Sequence, residues 1–129
     1  MMLNPDPRRP LVALADDDEI HAEVVSVWLD HHGFDVVKFG TGDALLAWAQ
    51  EVADRLPDAV LLDVEMPGLD GFEVHAELRR LPSFTATPMA FVSGMPPESL
   101  QSRAGANTAL NKDEHLLPKL SAWLATTIV

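Results

Sequence analysis

Four acidic residues stand together where a short apolar run ends, near the start of the chain. The run, LVALA at 11–15, is followed by Asp16, Asp17, Asp18 and Glu19. Like charges this close repel one another, so they disfavour a compact fold unless a cation or hydrogen-bond donors compensate them. By itself such a cluster usually marks a solvated turn, and a site for a hard cation is the alternative interpretation, which needs further residues in its support.

Three more side chains with useful chemistry each lie at the end of an apolar run. Asp63 ends VLLD, Ser93 ends MAFVS, and Lys112 follows NTALN. A carboxylate nucleophile, a hydroxyl donor and a mobile ammonium group are, with a dication, the parts needed to place a phosphoryl group on Asp63. The sequence therefore predicts phosphoryl chemistry, provided that the fold brings these residues together.

Alternating patterns predict the elements that would do so. Continuous apolar runs predict strands at 11–15, 34–39, 58–63 and 88–93, with a weaker fifth strand at 107–111. Helical spacing fills the gaps between them, which is typical of an α/β protein with a parallel sheet covered by helices on both faces. Ligands bind such sheets beyond the carboxyl ends of the strands, where the acidic cluster would lie.

Two of the predicted helices carry specific expectations. In the first, helical spacing predicts an inward face formed by Ile20, Val24, Val27 and Trp28. The fourth can only be short, because prolines at 96 and 97 restrict its start and the glycine at 105 ends it. Asp18 is predicted to cap the first helix. His75 is expected to be a partly buried structural histidine, and His21 gives no signal.

Composition bounds the class of protein. The 129 residues predict one domain at 10–129, preceded by a proline-rich, flexible lead-in at 1–9. Nine Lys and Arg against 20 Asp and Glu give a formal charge of -11, which disfavours direct binding to nucleic acid or to anionic membranes. Cysteine is absent, so disulfides and thiolate metal sites are excluded. No signal peptide or membrane-length apolar run is present, and we expect a cytoplasmic protein.

With these motifs in view, residues 10–127 resemble the receiver domains of two-component response regulators. The resemblance is carried by DD after strand one, LLDVEMPGLDGFEV around strand three, VSG after strand four and NK after strand five. It implies a flavodoxin-like, doubly wound sheet in the strand order 2-1-3-4-5. It also implies that Asp63 accepts a phosphoryl group from a histidine kinase or a histidine phosphotransfer protein.

The same resemblance implies a role for each site residue. Asp16, Asp17 and Asp63 would hold Mg²⁺, or alternatively Mn²⁺, with the backbone carbonyl of Glu65. Ser93 and Lys112 would contact the phosphoryl oxygens. The implied protein is a single-domain response regulator, a signalling protein rather than an enzyme. It would act by contact with an unidentified downstream protein, as a monomer or weak homodimer, and the ending LATTIV favours a complete small regulator.

Three departures from the family pattern fall near strand five. Ala109 stands where most receivers carry an aromatic residue, and Asp113 stands where they carry proline after the lysine. A cis peptide before a residue other than proline costs roughly 2.5–4 kcal/mol, so we predict a trans bond or a rearranged loop there. The stretch from Ser93 to Gly105 is about one helical turn shorter than usual, which shortens helix four. We expect retained phosphorylation with an unconventional readout.

Two other functions fit parts of the sequence. A degenerate receiver would serve as an interaction module that needs no phosphate, as the changes at Ala109 and Asp113 suggest. A haloacid dehalogenase-like phosphatase would use Asp16 and Asp18, since an apolar strand followed by DxD also opens that class. The second leaves the Asp63 motif unexplained and leaves little room for a cap. Phosphate transfer to Asp63 distinguishes the receiver from both.

Overall fold

A computed structural model describes residues 9–52 and 55–128. Residues 1–8 of the predicted lead-in lie outside these ranges. Arg9, the last residue of that segment, is described, and its guanidinium donates hydrogen bonds to the Phe34 carbonyl at 2.7 Å and to the Asp30 carboxylate at 3.0 Å. Arg9 thereby ties the start of the first strand to the end of the first helix.

The core of the described protein is a five-stranded parallel sheet in the order β2-β1-β3-β4-β5, as predicted. The three central strands are buried along their whole length, which explains their continuous apolar sequences. The two edge strands are only partly buried. The strands are β1 Leu11–Ala15, β2 Asp35–Phe39, β3 Ala59–Asp63, β4 Met89–Ser93 and β5 Thr108–Asn111.

Five α-helices cover the two faces of the sheet, and a 3₁₀ turn, Pro82–Phe84, follows the third. α2, α3 and α4 pack on one face, while α1 and α5 pack on the other. α4 has eight residues, confirming a short fourth helix. Across the described segments, no helix combines the length and apolar character needed to cross a bilayer. The helices are α1 Glu19–His31, α2 Gly42–Glu51, α3 Gly71–Arg79, α4 Pro97–Ala104 and α5 Leu116–Thr127.

The predicted inward face of α1 is wrong for three of its four residues. The buried residues are Ala22, Val25 and Leu29, whereas Ile20, Val24 and Val27 are 79%, 49% and 47% exposed. Trp28 is half-buried, packs at the edge of the core, and its indole N–H donates to Ser121 on α5 at 2.6 Å. Apolar residues lie on two sides of α1, so the helical spacing alone was compatible with either side being the buried face. The true stripe begins with a small alanine that adds little to the pattern.

The start of α3 is built against the backbone of β3. Asp70 is the N-cap and forms a capping box with Glu73, in which each side chain accepts from the other residue's backbone N–H. At Gly71 an added Cβ would lie 2.6 Å from the Asp63 carbonyl oxygen, so only glycine allows this approach. The Asp-Gly pair therefore fixes the loop that follows Asp63 tightly over the end of its strand.

His75 lies on α3 beside the end of this core. Its ring is 5.1 Å from that of Phe91, centroid to centroid, and its Nε2 atom is buried without a partner among the described residues. Burial, and then the charge of Arg79, lower the pKa of His75 below its ordinary value of 6.5. The expectation of a partly buried structural histidine is confirmed.

The lowered pKa makes His75 a source of pH-dependent stability. As pH falls below about 6.5 the unfolded chain binds this proton before the folded protein does, so His75 then favours unfolding. We expect His75→Leu to lose less stability than wild type between about pH 7.5 and about pH 5.5 in urea titrations. Other titrating groups are common to both proteins and cancel in the difference. His115→Gln, at an exposed position, should behave as wild type; equal pH dependence in His75→Leu would refute the assignment.

Candidate functional site

Strand register brings the predicted site residues to one edge of the sheet. Ala15 of β1 aligns with Leu62 of β3, so Asp16 and Asp63 come next at the same level on neighbouring strands. Asp63 aligns with Val92 of β4, which places Ser93 one residue further along. Lys112 follows β5 directly. These positions are the carboxyl ends of adjacent parallel strands, where such folds bind ligands.

Three carboxylates converge at this edge. Asp16, Asp17 and Asp63 each present an oxygen within 4.8 Å of the others. Asp16 and Asp63 are only 3% and 2% exposed, while Asp17 is open to solvent. One side of the cluster is therefore dry and the other is accessible from outside.

The electrostatics of the cluster are unfavourable to three negative charges. Burial, opposed by Lys112 and reinforced by the neighbouring Asp16, raises the pKa of Asp63 to about 7. A carboxyl group that ordinarily ionises near 3.8 thus resists losing its proton in this pocket. Oxygen-only ligands, one open side and excess negative charge suit a hard dication that keeps some of its water, such as Mg²⁺. The donor set therefore fits the predicted metal.

Lys112 supplies a positive charge over the same carboxylates. Its ammonium nitrogen lies 3.3 Å from Asp63 Oδ2 and 3.7 Å from Asp16 Oδ2. The backbone holds it there, because the Lys112 N–H donates to the Ser93 carbonyl at 2.9 Å. The Asn111 amide also donates to the Met95 carbonyl at 2.8 Å. The Asn-Lys pair thus joins β5 to the loop after β4 and directs the lysine across to Asp63.

Ser93 is fully buried and hydrogen-bonds the side chain of Glu65, the residue whose backbone carbonyl is predicted to bind the metal. Its hydroxyl donates to Glu65 Oε1 at 2.5 Å, and the Gly94 N–H donates to the same oxygen at 3.3 Å. The Met95 N–H in turn donates to the Ser93 hydroxyl oxygen at 3.0 Å. The Glu65 backbone N–H donates to Asp63 Oδ1 at 3.3 Å. The Glu65 side chain therefore bridges the ends of β3 and β4.

The structure adds His21, which the sequence did not single out. Its Nδ1 lies 2.6 Å from Asp16 Oδ2. His21 is the third residue of α1, a position whose side chain reaches back over the chain before the helix, as in a capping box. This position in the first turn was the only indication in the sequence that His21 could reach back. The structure was needed to show that Asp16 is the residue it contacts.

Asp18 is engaged as the cap of α1, confirming that prediction. Its carboxylate accepts from the backbone N–H groups of Ile20 and His21, both at 3.1 Å, and these bonds lower the pKa of Asp18. The phosphatase alternative needs Asp18 as a second catalytic acid. A carboxylate already accepting two helix N–H groups is poorly suited to that role.

The structure shows how the chain is arranged at Asp113 and Ala109, the two departures from the family pattern in and after β5. No peptide bond in the described residues is cis, so Lys112–Asp113 is trans, confirming the prediction. The Asp113 N–H donates to the Asn111 carbonyl at 3.0 Å, and its carboxylate accepts from the His115 N–H at 2.9 Å. A local turn therefore leads from β5 towards α5. Ala109 is half-buried at the edge of the core beneath α2, α3 and α4.

Comparison with known proteins defines the class to which this fold and site belong. The sequence matches the response regulator receiver domain over residues 12–120, and the chain belongs to that family of two-component signalling domains. Protein PilH of Pseudomonas aeruginosa is 31% identical over 120 residues, covering 88% of this chain and 97% of PilH. The DNA-binding response regulator MtrA of Mycolicibacterium smegmatis is 36% identical over 74 residues, which cover 57% of this chain and 31% of MtrA.

Solved structures share the same architecture. The chemotaxis protein CheY4 of Vibrio cholerae superposes with a TM-score of 0.78 at 25% identity, covering 93% of this chain and 99% of CheY4. The receiver domain of sensor histidine kinase PA1611 from Pseudomonas aeruginosa superposes with a TM-score of 0.81 at 22% identity, covering 93% and 98%. That structure carries a magnesium ion coordinated in its active site cleft. Because the PA1611 domain is only 22% identical to this chain, its similarity shows a shared fold alone.

Proposed function

We propose that this chain is a phosphorylatable response regulator of the cytoplasm, with Asp63 as the phosphoacceptor. An Asp63 oxygen attacks phosphorus, the phosphorus–nitrogen bond of a donor phosphohistidine breaks, and the nitrogen keeps the bonding pair and takes up a proton. The product is an acyl phosphate on Asp63. The donor is a histidine kinase or a histidine phosphotransfer protein, and the phosphorylated chain signals by contact with another protein.

One observation carries the proposal. The buried carboxylate of Asp63 lies within 4.8 Å of the acidic pair at the end of β1 and 3.3 Å from the ammonium group of Lys112. A buried nucleophile adjacent both to cation ligands and to a fixed cation is suited to accept an anionic group. A purely structural ion pair would not need three carboxylates at one open edge.

The residues around Asp63 have distinct roles in this proposal. Asp16, Asp17 and Asp63, with the backbone carbonyl of Glu65, would hold Mg²⁺, which when bound neutralises charge on the transferring group. Lys112 and Ser93 offer hydrogen-bond donors to phosphoryl oxygens. The ammonium group of Lys112 favours the phosphorylated product electrostatically, because it attracts the added negative charge.

The exposed apolar face of α1 supports a helical donor. Val24, Val27, Trp28 and Leu117 line an apolar groove that runs along α1 towards its C-terminal end. α1 begins directly after the acidic cluster, so a partner helix that lies along α1 in this groove can extend to the reactive edge. An amphipathic helix presenting a phosphohistidine matches both the apolar groove and the reactive edge.

Incubation with acetyl phosphate and Mg²⁺ tests the proposal without the natural donor. Wild type should gain the mass of one phosphoryl group, seen by intact mass spectrometry, because the site supplies the nucleophile and the charge compensation. Asp63→Asn should gain none, since an amide is not a nucleophile here. Absence of phosphate on wild type, under conditions where the protein remains folded, would favour the degenerate interaction module instead.

A further inference from the structure

The Glu65 side chain makes contacts that phosphate binding to this site would have to replace. Two donors, the Ser93 hydroxyl and the Gly94 backbone N–H, converge on the single oxygen Oε1. Convergent hydroxyl and amide donors are what a protein offers to an anionic oxygen. In the described structure the anion they hold is a side chain of the same chain.

The direction of the Ser93 hydroxyl is set by its neighbours. The Met95 N–H donates to the hydroxyl oxygen at 3.0 Å, so the hydroxyl proton is free to point elsewhere, and it points to Glu65. Ser93 is fully buried, which leaves its hydroxyl no solvent partner to exchange with. If the Glu65 carboxylate left, the Ser93 donor would therefore require another acceptor in its place.

If Ser93 donates to a phosphoryl oxygen, as proposed above, the Glu65 carboxylate occupies the place of that oxygen. Asp63 and Val92 are paired in register, so Ser93 lies one residue beyond the acceptor on the adjacent strand. The Glu65 backbone is itself tied to Asp63 Oδ1. A phosphoryl group on Asp63 and the Glu65 carboxylate cannot both occupy the donors of Ser93 and Gly94, and their like charges repel each other.

We propose that Glu65 is a positioning residue whose carboxylate stands in for a phosphoryl oxygen in the unphosphorylated protein. It holds Ser93 and Gly94 in the geometry that receives phosphate, and it must swing out before Asp63 can accept the group. Glu65 is exposed, so its carboxylate can move into water without being buried elsewhere. It thereby restrains phosphorylation, above all by small anionic donors that bring no binding energy from a protein partner. This inference rests on the proposed function of Asp63.

The test compares Glu65→Gln and Glu65→Ala with wild type. Both variants keep the backbone carbonyl predicted to bind the metal, and both lose the competing charge. At subsaturating acetyl phosphate and saturating Mg²⁺, we expect phosphorylation of Asp63 to be faster by at least about fivefold, the factor for one unit charge a few ångströms away under aqueous screening. Glu51→Gln removes the same charge from an exposed position on α2 and should match wild type.

A second readout excludes a merely structural effect. Beryllium fluoride mimics a phosphoryl group on a carboxylate, and fluorine NMR counts its bound fraction without any turnover. The concentration for half-saturation should fall in both Glu65 variants by a similar factor and stay constant in Glu51→Gln. In a Ser93→Ala background the gain from Glu65→Gln should shrink, because the main donor shared by the two anions is gone.

The outcomes separate this inference from the function on which it rests. If wild type gains phosphate on Asp63 but the Glu65 variants are no faster and bind beryllium fluoride no more tightly, the stand-in role of Glu65 is wrong while the phosphoacceptor role holds. If no protein in the set gains phosphate or binds beryllium fluoride, both are wrong. Faster phosphorylation with tighter binding in the Glu65 variants alone supports the role.

Discussion

Lys112→Met should destabilise the metal-free protein by about 3 kcal/mol and slow phosphorylation by acetyl phosphate about 100-fold. The ammonium group is the only cation within reach of both buried carboxylates among the described residues. Its removal leaves Asp16 and Asp63 facing each other without the positive group that they share. We expect a loss of stability at the lower end of the range for breaking a buried ion pair, because the lysine side chain is 24% exposed.

The two effects should respond differently to magnesium. A bound dication replaces the missing charge in the resting pocket, so Mg²⁺ should restore much of the stability of Lys112→Met. It should not restore the rate, because the donor to the transferring group is still absent. Urea unfolding at about pH 8, where Asp63 with its pKa of about 7 is largely ionised, measures the first effect. Lys119→Met, at an exposed position on α5, is the matched control, and a Lys112→Met protein indistinguishable from it would contradict the assignment.

Magnesium should stabilise wild type by about 2.7 kcal/mol at one hundred times its dissociation constant, a rise of roughly 10 °C in Tm. Asp16→Asn removes a ligand and a charge, and we expect its dissociation constant to rise about 100-fold. At the same magnesium concentration the stabilisation should then fall to about 0.4 kcal/mol. Thermal unfolding across a magnesium titration measures both values.

The same substitution should act in the opposite direction without metal. Asp16, Asp63 and Lys112 leave the buried part of the pocket with an excess negative charge. Asp16→Asn leaves the Asp63–Lys112 pair balanced, and the asparagine can still accept the Asp18 N–H at 2.9 Å and hydrogen-bond the His21 ring nitrogen that lies 2.6 Å from Asp16. We therefore expect metal-free Asp16→Asn to be at least as stable as wild type. A loss of stability in the variant with and without magnesium alike would mean that Asp16 serves the fold rather than a cation.

The sheet, and the meeting of the carboxylates at one of its edges, could be predicted from the sequence. Parallel strands buried on both faces read as continuous apolar runs, and their ends are marked by the first polar residue. Once Asp16 and Asp63 were placed at the ends of adjacent strands, their convergence followed from the topology. Capping by Asp18 and the short α4 were also predictable, because both depend on residues adjacent in sequence.

The missed features depend on which side of a helix or loop faces its neighbour. The buried stripe of α1 begins with Ala22, which weighs little in any apolar pattern, while the exposed Val24 and Val27 weigh more. The contacts from Glu65 to Ser93 and from His21 to Asp16 join loops and helix ends whose directions are set by packing elsewhere. The position of His21 in the first turn of α1 is a sequence signal for a backward contact, but it does not identify the partner, and the Glu65 contact has no such signal.

The central claim is that a dication bound by the acidic pocket enables the carboxylate of Asp63 to take a phosphoryl group. Its most direct test is peptide mapping by mass spectrometry after treatment with acetyl phosphate, in parallel samples with Mg²⁺ and with a chelator. The account predicts one phosphoryl group, located on Asp63, in the magnesium sample and none with chelator. Labelling that persists with chelator, or that maps to any residue other than Asp63, would contradict it.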